Sequence, residues 1–259
     1  MGSGLSSTET TVSLYLFIRM DGYILSEGIF VVKDRLRLGP QRPRLGPMTD
    51  LHPALTVLDH PLLQHKITRL RNAETPTPAF RRLVREIASL MGWSIFRHLP
   101  LDEIEVTTPL ETTRGAEIAV PVTIVPVLRA GLGLTEGLLA VLPEARVGHI
   151  GLERDEKTAK PSTYYTRLPN DLHEGLTVLV DPMLATGGSC AHALHILREH
   201  GAERIVVACL VAAPEGVDAL AAEFPDVPVL TAALDRELDE NAYIRPGLGD
   251  AGDRIFGTT

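Results

Sequence analysis

Cysteine is scarce in this chain: Cys190 and Cys209 are the only two among 259 residues. Two thiols give no disulfide framework and no metal-ligand spacing. Both sit among small or apolar neighbours, so they read as reduced core thiols, which suits a cytoplasmic protein. An excess of positive charge is also missing. The formal net charge is −8, which disfavours a protein that coats nucleic acid or lies on an anionic membrane. A local anion site stays open, because a few arginines in a cleft do not require a basic protein. No apolar run reaches the length of a membrane span. The longest early one, Val12–Ile18, has no basic region before it and no convincing cleavage site, so it makes a poor signal peptide. Met1–Ser6 matches the myristoylation pattern but lacks a polybasic partner.

The first 47 residues lack a core-forming period as well. Ser and Thr crowd the start, and Arg37–Pro47 mixes Arg, Leu, Gly and Pro without helical or strand rhythm. We therefore divide the chain into an N-terminal extension, residues 1–47, expected to be disordered or foreign to the working protein, and a domain over 48–259. Met48 is an alternative translation start. Hydrophobic residues at 44% and charged residues at 22% are enough for a sizeable core.

The domain is organised around Val178–Ser189. Val178-Leu179-Val180 suits a buried parallel strand. Asp181 stands at its end, the turn Ala185-Thr186-Gly187-Gly188-Ser189 follows, and Ala191, Leu194, Ile196 and Leu197 continue at helical spacing. Strand, acid, glycine-rich turn and helix together aim backbone N–H groups and a helix N-terminus at a phosphate.

Around it, Pro61 opens a helix through Leu62, Leu63, Lys66, Ile67 and Leu70, and Phe80 to Met91 carries a strong amphipathic period. Glu105–Leu110 and Glu117–Val120 flank Thr113-Arg114-Gly115 and predict a hairpin or extended arm turning there. Val122–Leu128 predicts a buried strand ending in Arg129, with a helix after it. Val147–Leu152 predicts another strand, closed by Glu153-Arg154-Asp155-Glu156. The polar segment from there to Pro169 reads as a mobile loop over a site. Ile205–Val211 is a further strand. The tail from Ala233 reads as loop-rich, with Gly247–Asp253 too glycine-heavy for a regular element. Strands alternating with helices predict an α/β fold with a mainly parallel sheet and ligands at the strands' C-terminal ends.

Two arginines at neighbouring strand tips, Arg129 and Arg154, can clamp a multiply charged anion. The small-residue turn can take a separate monophosphate, and Asp181 beside it can hold sugar hydroxyls or a hydrated Mg²⁺. A ribose carrying a monophosphate and a diphosphate would use all three.

Four segments carry a resemblance to a known family: Pro-Val-Leu-Arg-Ala-Gly-Leu-Gly (126–133), Asp-Pro-Met-Leu-Ala-Thr-Gly-Gly-Ser (181–189), Val-Ala-Ala-Pro-Glu-Gly (211–216) and the run from Tyr243 to Thr258 containing Pro-Gly-Leu-Gly-Asp-Ala-Gly-Asp. From about residue 50 onward the chain resembles the uracil phosphoribosyltransferases. The resemblance implies a type I phosphoribosyltransferase fold, with helices flanking the sheet, a β-arm and a C-terminal base-binding hood. It implies transfer of phosphoribose from 5-phosphoribosyl 1-diphosphate (PRPP) to uracil, giving UMP and diphosphate. By position, Arg129, Arg154 and Asp250 are the implied catalytic residues. PRPP would lie on them and on Asp181, Pro182, Met183, Leu184, Ala185, Thr186, Gly187, Gly188 and Ser189. Uracil would be read at Ile244, Gly249, Asp250 and Ala251. Mg²⁺ is the implied cofactor, bound mainly through PRPP. A homo-oligomer, dimer or tetramer, is implied, with GTP an activator in some members. Met91–Arg97 and the first 47 residues depart from the family pattern.

Two rivals are testable. Gly131-Leu132-Gly133 opens a helix after a strand, and Glu153 stands about 20 residues on, as in a dinucleotide-binding oxidoreductase. The third glycine, Gly137, is displaced by one position, and Arg129 would crowd the pyrophosphate turn. An RNA-binding regulator on the same fold is opposed by the negative charge. His192 and His195 lack further metal ligands and read as surface or packing residues.

Overall fold

The computed structural model describes residues 55–154 and 161–258. The expected extension, residues 1–47, lies outside the described residues, as do residues 155–160 of the expected loop. The chain begins with β1 (Leu55–Val57) and α1 (Pro61–Arg71). His60 caps α1 by accepting the Leu62 N–H on Nδ1, Pro61 presets its first turn, and Arg69 and Arg71 complement its C-terminal dipole. In α2 (Thr77–Ile95), Phe80, Leu83, Val84, Ile87, Ala88 and Met91 form the buried stripe that the period predicts.

Next come the hairpin of β2 (Leu101–Thr107) and β3 (Thr112–Ile118), then β4 (Val122–Leu128), α3 (Leu132–Leu139), β5 (Arg146–Val147), β6 (His149–Arg154) and β7 (Pro161–Arg167). After β8 (Leu176–Val180) and β9 (Met183–Leu184) follow α4 (Gly188–Glu199), β10 (Arg204–Ala212), α5 (Pro214–Glu223) and β11 (Val229–Leu234). The chain closes with β12 (Glu237–Leu238), β13 (Ile244–Arg245) and α6 (Ala251–Phe256).

The main sheet runs β1-β11-β10-β8-β4-β6-β7, with β5 on β4 and β9 on β10. Every pairing in it is parallel except β6 with β7. Alternation along the strands divides the core. Val178 and Val180 pack with the α2 stripe, whereas Leu179 packs with Ala193, Leu194 and Leu197 of α4 and Leu220 of α5. Both faces are thus covered, and the central strands read as continuous apolar runs for that reason. The fold is the mainly parallel α/β sheet with flanking helices and a β-arm that the sequence predicts.

Three expectations need correction. The hairpin turns at Thr108–Glu111, not at Thr113-Arg114-Gly115. Thr108 Oγ1 accepts the N–H groups of Leu110 and Glu111, and Pro109 fits such a turn, while Gly115 pairs with Ile104 inside the ladder. The polar segment expected as a loop contains β7, antiparallel to β6. An edge strand has one neighbour and exposed side chains, so Thr163, Tyr164, Tyr165 and Thr166 form it on β-propensity without a core period. Finally, Ala251, Gly252 and Asp253 belong to a helix. Asp250 caps it by accepting the Asp253 N–H at 3.0 Å, and that cap outweighs the glycine content.

Candidate active site

Order in the sheet makes the site. β8, β4 and β6 are neighbours, so the chain leaves three adjacent strand tips at Asp181, Arg129 and Arg154. Arg154 is the last residue of β6, and its side chain lies outside those described. Arg129 follows β4 and is exposed, with its guanidinium 5.4 Å from the centre of the Phe256 ring. The Leu128–Arg129 peptide is cis. Gly131 explains how the β4 tip can lie against β8: a Cβ there would stand 2.5 Å from the Val180 carbonyl oxygen and 2.8 Å from that of Val127. Any side chain would push Arg129 away from Asp181.

The loop after β8 encloses a cavity of about 170 Å³ lined by Asp181, Met183 to Ser189 and Cys190. Gly187 takes φ 82° and α4 starts at Gly188, so the first N–H groups of the helix face this cavity without intrahelical acceptors. Thr186 is exposed and Ser189 half-buried beside them, and Thr186 Oγ1 accepts the Gly188 N–H at 3.5 Å. The loop is braced from behind by α5. A Cβ on Gly216 would stand 2.2 Å from the Ala185 carbonyl oxygen, so the α5 backbone lies directly against the loop. Pro182 sits beneath, its carbonyl accepting from Leu210 and Val211.

Asp181 is half-buried, and desolvation pushes its carboxyl up to about 7, against the opposing pull of the Met183 N–H at 3.4 Å. Cys190 and Cys209 are free and buried, as expected. Desolvation pushes Cys209 up to about 12 and Cys190 well above the ordinary thiol, so neither is a nucleophile at neutral pH. His192 and His195 have ordinary partners: Thr163 Oγ1 for the first, Glu223 and the Phe224 ring for the second.

The hood reaches the same place from the C-terminal end. A Cβ on Gly252 would approach Ala130 at 3.8 Å, so the start of α6 stands beside the Arg129 loop. Asp250 is exposed, Ala251 fully buried, and Gly249 takes φ 77°. Tyr243 and Arg245 give their carbonyls to Asp239 and Arg236, so by strand alternation Ile244 turns its own N–H and C=O away from β12. The candidate groups at Ile244 and Gly249–Ala251 are therefore backbone groups on the segment that leads into α6 beside the Arg129 loop. Phe256 and Gly216 are the site residues whose roles sequence reading did not assign. Gly216 lay in a quoted motif, but its contact with Ala185 is a tertiary one. A larger open groove, about 320 Å³, lies on α1 and α2, where Lys66 and Arg82 are both paired with Glu86. It holds no part of this constellation.

Among solved structures, a protein of Aquifex aeolicus superposes with a TM-score of 0.76 at 35% identity, covering 79% of this chain and 99% of its own. An adenine phosphoribosyltransferase of Trypanosoma brucei, solved with AMP, pyrophosphate and ribose-5-phosphate, has a TM-score of 0.50 at 14% identity over 74% of this chain and 88% of its own, a likeness of fold alone. In sequence, the uracil phosphoribosyltransferase of Salinibacter ruber is 54% identical over 204 residues, 79% of this chain and 97% of that one. That of Bacillus cytotoxicus is 53% identical over 205 residues, 79% and 98% of the two chains. The family model described as uracil phosphoribosyltransferase matches residues 57–258, which takes in every strand tip, the phosphate loop and the hood, and the chain belongs to that family.

Proposed function

We propose that this protein transfers the phosphoribosyl group of PRPP to N1 of uracil, forming UMP and releasing diphosphate in pyrimidine salvage. The observation that carries the reading is the adjacency of three subsites: the phosphate loop after β8, the arginine tips of β4 and β6, and the backbone-lined hood beside Ala130. Residues 185–189 hold the 5-phosphate on N–H and hydroxyl donors. Asp181 accepts the ribose hydroxyls, and Arg129 and Arg154 take the diphosphate. As the bond from the anomeric carbon to the diphosphate breaks, a bond from uracil N1 forms, and the N1 proton is released. The anomeric carbon passes through an oxocarbenium-like state. Catalysis on this plan is positioning and electrostatics: the arginines stabilise the departing charge, and the hood holds the base in line. Asp250 organises the meeting of hood and ribose.

Mg²⁺ belongs to the same proposal: it is commonly held by substrate phosphates and water with few protein ligands, and Asp181 beside the loop is the acid that could meet its water shell. When bound it would neutralise charge on the diphosphate. A homo-oligomer, dimer or tetramer, belongs to the same reading, since Leu101, Val106, Leu110 and Ile118 expose apolar surface on the β-arm that a second copy would cover. GTP as an activator is carried by the family resemblance. A cytoplasmic location is supported by the buried free thiols, and no described helix is long and apolar enough to cross a membrane.

The deciding experiment is UMP formation from uracil and PRPP with Mg²⁺, run beside cytosine, hypoxanthine and orotate. Turnover of uracil alone is expected. No UMP, or preference for another base, would overturn the reading.

A further inference from the structure

We propose that Arg71, paired with Asp235, and Arg254, stacked on Phe80, are positioning residues that fix the base-reading turn from behind, so that uracil affinity depends on side chains that never touch the base. The inference rests on the functional reading above and adds the residues that set its base subsite.

The turn from Ile244 to Ala251 has little regular structure to hold it. Among the described residues its one ladder is the two-residue β13 on β12. Beside the Arg245–Asp239 pair at its start, the turn is held by Arg71 at the end of α1, Asp235 after β11 and Arg254 of α6. Asp235 at the end of β11 is buried, and its carboxylate takes both arms of the Arg71 guanidinium. The same carboxylate accepts the Gly247 N–H at 2.9 Å, and Arg71 donates to the Gly247 carbonyl at 2.6 Å. Both backbone groups of Gly247 are thereby consumed by one ion pair. The next carbonyl, Leu248, accepts from Arg254 at 2.7 Å. Arg254 is itself anchored: its other arm donates to the Asn72 carbonyl at 2.6 Å, and its guanidinium lies 4.3 Å from the centre of the Phe80 ring.

Arg71 and Asn72 are consecutive, so one corner, the end of α1, holds two consecutive residues of the turn. Held at Gly247 and Leu248, the chain presents Gly249, Asp250 and Ala251 to the cavity. A partly buried ion pair of this kind is a weak source of stability, because desolvating the charges offsets most of their attraction. It is a strong source of geometry, since the two-armed fork accepts one orientation only. Backbone recognition of a planar base needs that, because a displacement of about 1 Å can cost around a hundredfold in a positioned reaction.

The test is steady-state kinetics with uracil and PRPP varied separately, on the wild type and on Arg71→Ala, Arg71→Lys, Asp235→Asn and Arg254→Lys. Arg71→Ala and Asp235→Asn are expected to raise KM for uracil about tenfold or more, with KM for PRPP nearly unchanged and weaker discrimination against cytosine. Arg71→Lys, which keeps the charge but loses the fork, should fall between. Arg254→Lys should move uracil KM in the same direction through Leu248, and it carries the test if the Asp235 pair proves necessary for folding. Parallel rises in both KM values, or an unmoved uracil KM, overturn the inference while leaving the functional reading intact. A wild type that forms no UMP overturns both.

Discussion

Desolvation at the end of β8 raises the Asp181 carboxyl to about 7, so the folded chain holds that proton more tightly than the unfolded one. The stability contributed by this group is fully present below the ordinary aspartate range and is lost as pH rises through about 7. On the proposed reading substrate runs the other way, since the ionised carboxylate accepts ribose hydroxyls more strongly than the neutral acid. KM for PRPP is therefore expected to fall as pH rises through about 7. The phosphates of PRPP titrate nearby, so Asp181→Asn is the control: its profile should lose the inflection due to the enzyme, and an unchanged inflection contradicts the assignment. Arg129 gives a second prediction at this scale. Its exposed guanidinium lies over Phe256, and on the proposed reading it meets charge on the leaving diphosphate. Arg129→Ala should lower kcat/KM by about tenfold or more, and near-normal turnover would contradict the clamp.

At the scale of elements, the loop proposed to hold the phosphate depends on the helix behind it, α5, whose Gly216 and Ala219 lie against it. The Gly216 backbone of α5 lies so close to Ala185 that a methyl group would meet its carbonyl at 2.2 Å. Gly216→Ala is expected to shift the loop and raise KM for PRPP about tenfold, with uracil KM much less affected. Gly201 at the end of α4 is the comparison. Its φ is 84° but nothing lies within 4 Å of an added Cβ, so Gly201→Ala should cost about 1 kcal/mol in stability through strain alone and leave both KM values in place. Thermal melting beside kinetics separates the two cases. What was legible in the sequence follows the same division. Val122–Arg129 and Val178–Ser189 carry strand, tip and loop within a dozen residues, so local pattern was enough. The six-residue α6 was missed because its glycine hid the Asp250 to Asp253 cap. Arg71 and Asp235 stand 164 residues apart, and no local period could join them.

For the whole molecule, the question is how much chain the working fold needs. The family match starts at residue 57, and the relatives from Salinibacter ruber and Bacillus cytotoxicus are covered over 97% and 98% of their own length by 79% of this chain. Among the described residues the sheet begins with β1 at Leu55–Val57, which pairs with β11, and these residues pack both sheet faces. The phosphate loop, the strand tips, the hood and its Arg71 anchor all lie within the same span. Burial of apolar surface is what holds such a fold together, and the described residues alone fill a core on each face of the sheet. A chain starting at Met48 should therefore fold, melt close to the full-length protein and keep its kcat/KM for uracil and PRPP. PRPP at about a hundred times its Kd should raise the melting temperature of both by about 5 °C or more, because a ligand bound only by the folded state adds about 2.7 kcal/mol. Loss of turnover or of that PRPP shift in the shorter chain would show that residues before Met48 belong to the catalytic unit after all.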